Sequence, residues 1–287
     1  AVASAMELAL HLGILPNPEE DEEVREGSEH VLLEAIYDPD QPGSLAGNIR
    51  SLMWSATHVR ERLSLDHWHS LSRLQRDQQA ALKKHPSLTE AIAFLDRVLG
   101  VSSSLTGFAM DNMTRDDGWR FLIVGRRLER LSFLAQSIAH FLRMPSTRGP
   151  GSMEWLLELT DSIITYRSRY SRLPELLPVL DLLVFDDSNP HGVLFQAGVL
   201  ARYLDRMARE LNESGESLLP QALARLQAFD LERLEQLPFS QCRTGSPCDE
   251  LADLLIELDS AAVQLSDWLG RRYFTHVGDV SRQTMAL

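Results

Sequence analysis

Apolar residues recur along this chain at steps of three and four, which is the period of an amphipathic α-helix. No alternating run is long enough for a sheet, and prolines and glycines separate the periodic segments. The pattern therefore predicts an all-α fold, a multi-helix bundle. The predicted helices are 2–12, 20–37, 43–64, 65–83, 87–110, 116–143, 152–171, 173–184, 191–212, 217–229, 230–237 and 247–276.

The segment from Met113 to Arg143 has the most unusual pattern in the chain. One apolar stripe follows the helical period, and further apolar rows leave no face wholly polar, which predicts a helix in the middle of a bundle. The stripe consists of Phe121, Val124, Leu128, Leu131, Ala135, Ile138 and Leu142. The same segment carries charged side chains in its first half, namely Arg120, Arg126, Arg127, Glu129 and Arg130. Because an unpaired buried charge costs several kcal/mol, we expect these charges to be paired with each other, with neighbouring carboxylates or with a bound anion.

Two interpretations of these charges stay open. The favoured one is a structural ion network between Glu129 and the arginines, which is common where helices pack together. The other is a functional site. In that case Glu129 acts as general acid or base, and the arginines stabilise negative charge on a substrate. The arginines proposed to bind a substrate or anion are Arg120, Arg126 and Arg130.

A second polar segment ends the helix predicted over 152–171. An arginine flanked by tyrosines on one helix face is a good receptor for a carboxylate or phosphate. It is equally a helix-terminal cap, which is the interpretation we favour. The candidate residues here are Tyr166, Arg167, Arg169 and Tyr170. A solvent-reachable pocket that contains Glu129 with Tyr166 or Arg169 would support a ligand site, whereas bonds closed within packed helices would support a scaffold.

An acid-rich turn contains Asp186, Asn189 and His191. These side chains could ligate Mg²⁺ or Ca²⁺, but Asp and Asn are also ordinary turn residues, and we favour that interpretation. No other metal-ligand spacing is found, and the motifs of nucleotide, flavin and hydrolase sites are missing. We therefore expect neither a metal nor a cofactor.

An internal repeat is visible at two turns. Residues 36–45, IYDPDQPGSL, align with residues 184–193, VFDDSNPHGV. In each copy a helix ends, the chain turns through acids, and the next helix begins near a proline. Asp38 and Asp186 are expected to accept hydrogen bonds from backbone amides of their turns. We predict one domain over 1–287, made of two related half-bundles that divide near Asn112, approximately 1–112 and 113–287.

Composition limits the partners and the compartment. The formal net charge is −13, which argues against binding of nucleic acid or an anionic membrane. No apolar run reaches about 18 residues, and residues 1–15 lack the basic start of a signal peptide, so we expect a cytoplasmic protein.

Lys83 and Lys84 are the only lysines. Cys242 and Cys248 lie in a polar loop without further ligands, so we expect both to be reduced surface thiols.

The charged helix is also where the sequence resembles a known family. Its pattern is similar to the signature T-M-x-R-D-x-G-W-R-F-x-x-x-G-R-x-L-E-R of the bacterial alpha-E family, predicted all-helical domains named for a conserved Glu-Arg pair. The matching residues are Met113, Arg115, Asp116, Gly118, Trp119, Arg120, Phe121, Gly125, Arg126, Leu128, Glu129 and Arg130. The resemblance implies a duplicated unit, in which a first Glu-Arg helix lies near the N-terminus. Because none precedes Ala1, we expect an incomplete first half and a chain cut from a longer polypeptide.

The resemblance implies an accessory role. The family resemblance implies a partner of a circularly permuted ATP-grasp protein, with transglutaminase-like and proteasome-related proteins encoded nearby. The leading hypothesis is a helical accessory domain that docks on an ATP-grasp-type amide or peptide ligase or positions an anionic or peptide substrate. One alternative is an enzyme in its own right, acting on a small acidic or peptide substrate. A third is an interaction scaffold without a ligand.

Overall fold

The computed structural model describes residues 2–15, 28–82, 87–211, 218–235, 239, 242 and 244–274. These residues form twelve α-helices and no β-strand, which confirms the predicted all-α class. The start of predicted helix 20–37 and both lysines lie outside the described residues. The helices are α1 (Val2–His11), α2 (Ser28–Tyr37), α3 (Leu45–His58), α4 (Leu65–Leu82), α5 (Leu88–Asp111), α6 (Asp117–Arg143), α7 (Ser152–Leu159), α8 (Ile163–Tyr170), α9 (Leu176–Leu180), α10 (Val193–Leu211), α11 (Leu219–Gln227) and α12 (Pro247–Tyr273).

The chain divides into two compact units. One comprises Ala1–Leu8 and Arg120–Leu287, and the other comprises Ala9–Trp119. Both predicted turn bonds are confirmed, since the Asp40 amide donates to Asp38 Oδ1 at 2.9 Å and the Ser188 amide donates to Asp186 Oδ1 at 2.8 Å. The descent of the two halves from one duplicated unit stays a prediction.

The Ala9–Trp119 unit contains α2 to α5. Tyr37 stacks on Phe94 with ring centroids 5.5 Å apart, and both rings are buried. In helix α5 only 11% of the most apolar 18-residue window is buried. By length and composition alone α5 could cross a membrane, although Asp96 and Arg97 interrupt its apolar residues. The cytoplasmic location stays a prediction.

The core of the Arg120–Leu287 unit is built around α6. The predicted stripe is buried from Val124 to Leu142, and Phe121 is partly buried. However, Arg126, Glu129 and Arg130 are exposed, so the expectation that these charges are buried is wrong. The physical reason is that they share a polar face of the helix with the exposed apolar residues Leu122 and Phe133, both 38% exposed. A row of apolar residues in a sequence does not by itself require burial.

The helix predicted over 152–171 is broken in two. Asp161 takes the left-handed conformation at φ 54°, which an α-helix cannot accommodate. The break is stabilised locally, because the Thr160 hydroxyl donates to Leu156 O at 2.9 Å and the Ser162 amide donates to Leu157 O at 2.7 Å. As a result, α7 and α8 have independent directions, and α8 ends near the turn at Asp186.

Three other boundaries differ from the prediction. Helix α3 ends at His58 and is followed by a 3₁₀ turn over Arg60–Arg62, while predicted helix 230–237 is a 3₁₀ turn over Leu231–Leu234. Predicted helix 173–184 begins at Leu176 and continues as a π-helical turn over Asp181–Phe185. Such π-turns occur often next to functional sites, and this one leads directly into the acid-rich turn.

The two cysteines form a disulfide, so the prediction of reduced surface thiols is wrong. Cys242 is 5% exposed and Cys248 is fully buried. Gly245 has φ 78° and turns the chain back, which brings the two Cα atoms to 5.5 Å, inside the range that a disulfide needs. Sequence spacing alone could not show that the polar loop folds onto the core.

We expect removal of this disulfide to destabilise the Arg120–Leu287 unit by about 2 kcal/mol, because the bond closes a short loop in the unfolded chain. The double variant Cys242→Ser/Cys248→Ser should show this loss in urea unfolding under non-reducing conditions. The matched control is the unsubstituted protein with a reductant, which should unfold like the variant. Equal stability with and without reductant would contradict the expectation.

Candidate functional site

The acid-rich turn that leads into α10 is held by its own polar side chains. The Asp186 carboxylate accepts the Ser188 amide at 2.8 Å and the Ser188 hydroxyl at 2.7 Å. Asn189 is 1% exposed, and its side chain donates to Leu182 O at 3.0 Å and accepts the His191 amide at 3.1 Å. These bonds make the turn a rigid platform between α8 and α10.

Gly192 closes the platform. A Cβ atom at this position would lie 3.2 to 3.3 Å from the carbonyl oxygens of Asn189, Asp186 and Leu182. Any larger residue would therefore push against three backbone oxygens at once. The close approach explains why glycine stands between His191 and the first residue of α10.

Arginines from two different helices bind to this platform. Arg169 of α8 forms an ion pair with Asp186 and donates to Ser188 Oγ at 3.2 Å. Arg130 of α6 contacts His191 Nδ1 at 3.3 Å. The structure thus connects the two arginine-rich segments through one turn of the chain.

The contact fixes the protonation of His191. Because a guanidinium can only donate, Nδ1 must accept, and the proton of the neutral ring lies on Nε2. Nε2 lies 3.8 Å from Asp161 Oδ2. Burial lowers the pKa of His191, Asp161 acts in the opposite direction, and the charge of Arg130 adds to the lowering. The ring is therefore held neutral against a positively charged neighbour.

Three arginines of α6 lie close enough to repel one another. Burial lowers the pKa of Arg126, and the charges of Arg127 and Arg130 lower it further. Burial and Arg130 also lower the pKa of Arg127, while Tyr203 opposes them. Arg126 still keeps more than a third of its surface accessible, so it is surrounded by protein on one side and open to solvent on the other. We name Arg126, Arg127 and Arg130 the arginine cluster.

The acceptors of Arg127 and Arg130 are neutral. Arg127 donates to Gln196 Oε1 at 2.9 Å and lies 5.7 Å from the ring centroid of Phe195, and Arg130 contacts the neutral His191. Within the part of the chain that the structure describes, neither Arg127 nor Arg130 forms an ion pair with a carboxylate. The charges of Arg127 and Arg130 are therefore not cancelled by a carboxylate, although the protein as a whole is acidic.

Glu129 is not part of this arrangement. It is exposed and makes no hydrogen bond or ion pair with any described residue, so the expected network between Glu129 and the arginines is wrong. A catalytic role for Glu129 stays a prediction. Arg120 is half-buried and Arg167 is exposed, and their roles in binding also stay predictions.

The two tyrosines of α8 serve the fold. Tyr166 is fully buried, and its hydroxyl donates to Leu173 O at 3.2 Å and accepts the Glu175 amide at 3.3 Å. Tyr170 donates to Asp181 Oδ2 at 3.0 Å, and burial together with that carboxylate raises its pKa to about 12. Both phenols are committed to local bonds, so they do not form a common receptor with Arg169.

The turn residues are committed in the same way. Asp186 pairs with Arg169, and Ser188 and Arg169 together lower the pKa of its carboxyl despite partial burial. Asn189 uses its amide to hold the turn. No group of three potential metal ligands occurs among the described residues. The platform thus acts as a structural support for the arginines.

The sequence interpretation missed the residues that position the cluster. Gln196 and Tyr203 lie two helical turns apart on α10 and interact with Arg127. Gln196 is 1% exposed within a stripe of buried apolar residues. A polar side chain on an otherwise apolar helix face was the available signal for it.

The fold and the site together define an all-α protein with an arginine cluster on its central helix, in which neutral acceptors orient Arg127 and Arg130. Residues 3–274 match the model of the alpha-E family, described as a predicted alpha-helical domain with a conserved ER motif. The chain belongs to this family. Uncharacterized proteins of Mycobacterium tuberculosis and Mycobacterium bovis are 29% identical to it over 254 residues, which is 83% of this chain and 27% of each relative. The chain thus spans about a quarter of the length of these relatives, and no solved structure matches.

Proposed function

We propose that this chain is an accessory domain that binds an anionic group, a carboxylate or a phosphate, at the arginine cluster. The observation that carries the proposal is that Arg127 and Arg130 are oriented by the neutral acceptors Gln196 and His191. Structural arginines are usually paired with carboxylates, which cancel their charge. Here the guanidinium groups are positioned and their charge is left for a ligand.

The geometry suits an anion that bridges two arginines. Arg126 and Arg130 lie one helical turn apart, so their side chains project from the same face of α6. Both are exposed, whereas Arg127 lies deeper against Phe195. An anion bound there would relieve the mutual repulsion that lowers the pKa of Arg126. The relief of this repulsion adds to the direct hydrogen bonds.

We infer further that the bound anion belongs to a substrate of an ATP-grasp-type amide or peptide ligase. The family resemblance suggests this partner, and ligases of that kind act on carboxylates that they convert to acyl phosphates. The relatives carry about three quarters of their length outside the matched region, which is room for a further domain. An accessory domain that holds a carboxylate or phosphate would position the substrate for such an enzyme.

Anion binding is tested by calorimetric titration of the protein with phosphate and with succinate at constant ionic strength. We expect the double variant Arg126→Gln/Arg130→Gln to weaken binding by at least about tenfold, because each charge-assisted hydrogen bond contributes roughly 1.5 kcal/mol or more. The matched control is Arg225→Gln, which removes an exposed arginine of α11 that pairs with Glu257 of α12. The control should bind like the unsubstituted protein. Equal binding by all three proteins would overturn the proposal.

The partner is tested separately. Turnover of the ATP-grasp protein should rise when the domain is added, and it should rise less with the Arg126→Gln/Arg130→Gln variant. Turnover that is the same without the domain, with it and with the variant would exclude the ligase role. Binding of phosphate or succinate to the isolated domain would still stand in that case, so the two parts fail independently.

A further inference from the structure

The Arg120–Leu287 unit contains an open cavity of about 450 Å³ away from the arginine cluster. It lies between the turn that leads into α7, residues 149–154, and the segment that leads into α9, residues 173–177. Leu234, Glu235 and Phe239 complete its lining. A cavity of this volume fits a few residues of peptide rather than a single ion.

One wall of the cavity offers hydrogen-bond donors. Helix α7 begins there with Gly151, which has no side chain to cap it, and the first helical bond is donated by the Trp155 amide at 3.0 Å. The amides of Ser152, Met153 and Glu154 have no acceptor among the described residues. Ser152 and Met153 are buried, at 3% and 9% exposure. The first amides of a helix have no acceptor within the helix, so a ligand that brings carbonyl oxygens into the cavity can accept their hydrogen bonds.

The charge of the lining excludes an anionic ligand. Its charged residues are Glu154, Glu175 and Glu235, and it contains no lysine or arginine. Glu154 and Glu235 form no ion pair within the described part of the chain, and Glu175 lies 3.8 Å from Arg172 in an exposed pair. The dipole of α7 favours an anion by only about 0.3–1 kcal/mol, which three carboxylates outweigh.

The apolar walls are fixed before any ligand binds. Phe239 stacks nearly parallel on Phe141, with centroids 5.3 Å apart, and the Arg148 guanidinium lies 4.2 Å from its centroid. Arg148 donates to Cys242 O at 2.9 Å, which connects this wall to the disulfide loop. On the opposite side Leu173 is 80% exposed. A fixed aromatic wall and an exposed leucine suit the aliphatic part of a long side chain.

We propose that this cavity binds an extended peptide segment of a partner protein through a lysine or arginine side chain. The peptide carbonyl groups accept the amides at the start of α7, and the basic group pairs with the three glutamates. The aliphatic stem of the side chain packs between Leu173 and Phe239. The cavity opens above Gly149 and Gly151, where a Cβ atom would meet nothing within 4 Å, so a peptide backbone can approach closely.

The test uses the full chain and the blocked peptide acetyl-Gly-Leu-Arg-Leu-Gly-amide, with norleucine or glutamate in place of arginine as comparison peptides. We expect the arginine peptide to bind at least about tenfold more tightly than the norleucine peptide, and the glutamate peptide to bind most weakly. The preference should shrink as salt is raised, because the pairing is electrostatic. Equal affinities for the three peptides, or no binding of any of them, would overturn the proposal.

Matched variants locate the site. The triple variant Glu154→Gln/Glu175→Gln/Glu235→Gln should bind the arginine and norleucine peptides equally, and Glu154→Gln alone should weaken the arginine peptide about threefold. Glu158→Gln changes an exposed glutamate of the same helix α7 outside the cavity, and it should leave binding unchanged. Either cavity variant keeping the full preference for arginine, or Glu158→Gln losing it, would place the binding elsewhere and overturn the assignment.

Discussion

Replacing Phe141 with alanine should lower the free energy of unfolding of the Arg120–Leu287 unit by about 4 kcal/mol. Phe141 is fully buried near the end of α6. Its ring stacks on Phe239 at 5.3 Å and on Trp155 at 6.3 Å between centroids. The substitution deletes the buried ring and its contacts. It leaves a cavity that the two stacked rings cannot fill without moving. Urea unfolding, followed by tryptophan fluorescence and circular dichroism, measures the loss.

The same helix provides the control. Phe133 is 38% exposed, so Phe133→Ala removes a ring that folding only partly buries, and it should cost about 1 kcal/mol. If both variants lost the same stability, the burial of α6 described above would be wrong. Phe141→Ala should also weaken binding of the arginine peptide, because Phe239 would lose the ring that fixes it. That effect ties the core of the unit to the proposed peptide cavity.

The second large effect is expected for Asn189→Ala, which should lower the free energy of unfolding by about 3 kcal/mol. The buried side chain bonds Leu182 O and the His191 amide, and its loss leaves a buried carbonyl and amide without their partners. Each unsatisfied group costs about 1–3 kcal/mol. The turn would loosen, and His191 would no longer hold Arg130. We therefore expect weaker phosphate binding together with the loss of stability.

Asp187→Ala is the matched control for Asn189→Ala. Asp187 lies in the same turn, is exposed and makes no hydrogen bond or ion pair with the described residues. The substitution should change stability by less than about 0.5 kcal/mol and leave anion binding intact. Thermal unfolding with and without phosphate gives both quantities. A loss of phosphate binding at unchanged stability in Asn189→Ala would instead indicate that the asparagine contacts the anion itself.

The helices could be predicted because their signal is local. The apolar stripe of α6 follows from positions three and four residues apart, and the structure confirms its burial from Val124 to Leu142. The break at Asp161 was not predictable in the same way. The residues on both sides keep a helical pattern, and the pattern does not show the bonds of Thr160 and Ser162 that hold Asp161 in a conformation unfavourable for a residue with a Cβ.

In the candidate site, too, the sequence pointed to individual residues but not to their partners. The sequence indicated that Arg126, Arg130 and Arg169 were unusual, because arginines on apolar helices need partners. It could not say which partners they have. The structure pairs Arg169 with a carboxylate and Arg130 with a neutral histidine. A neighbouring negative charge therefore balances Arg169, whereas the charge of Arg130 is not balanced by its partner. Glu129, the most conspicuous acid in the sequence, lies outside the arrangement.

The all-α class, the central helix α6 and the family can be read from the amino-acid sequence, because helical periodicity and a long motif are properties of neighbouring residues. The bond between Cys242 and Cys248, the exposure of Glu129 and the orientation of Arg127 by a glutamine of α10 result from tertiary packing. Each of these depends on which surfaces meet across tens of residues, and a burial or pairing of that kind leaves no periodic trace in the chain. The charge left on Arg127 and Arg130 is therefore a property of the folded protein.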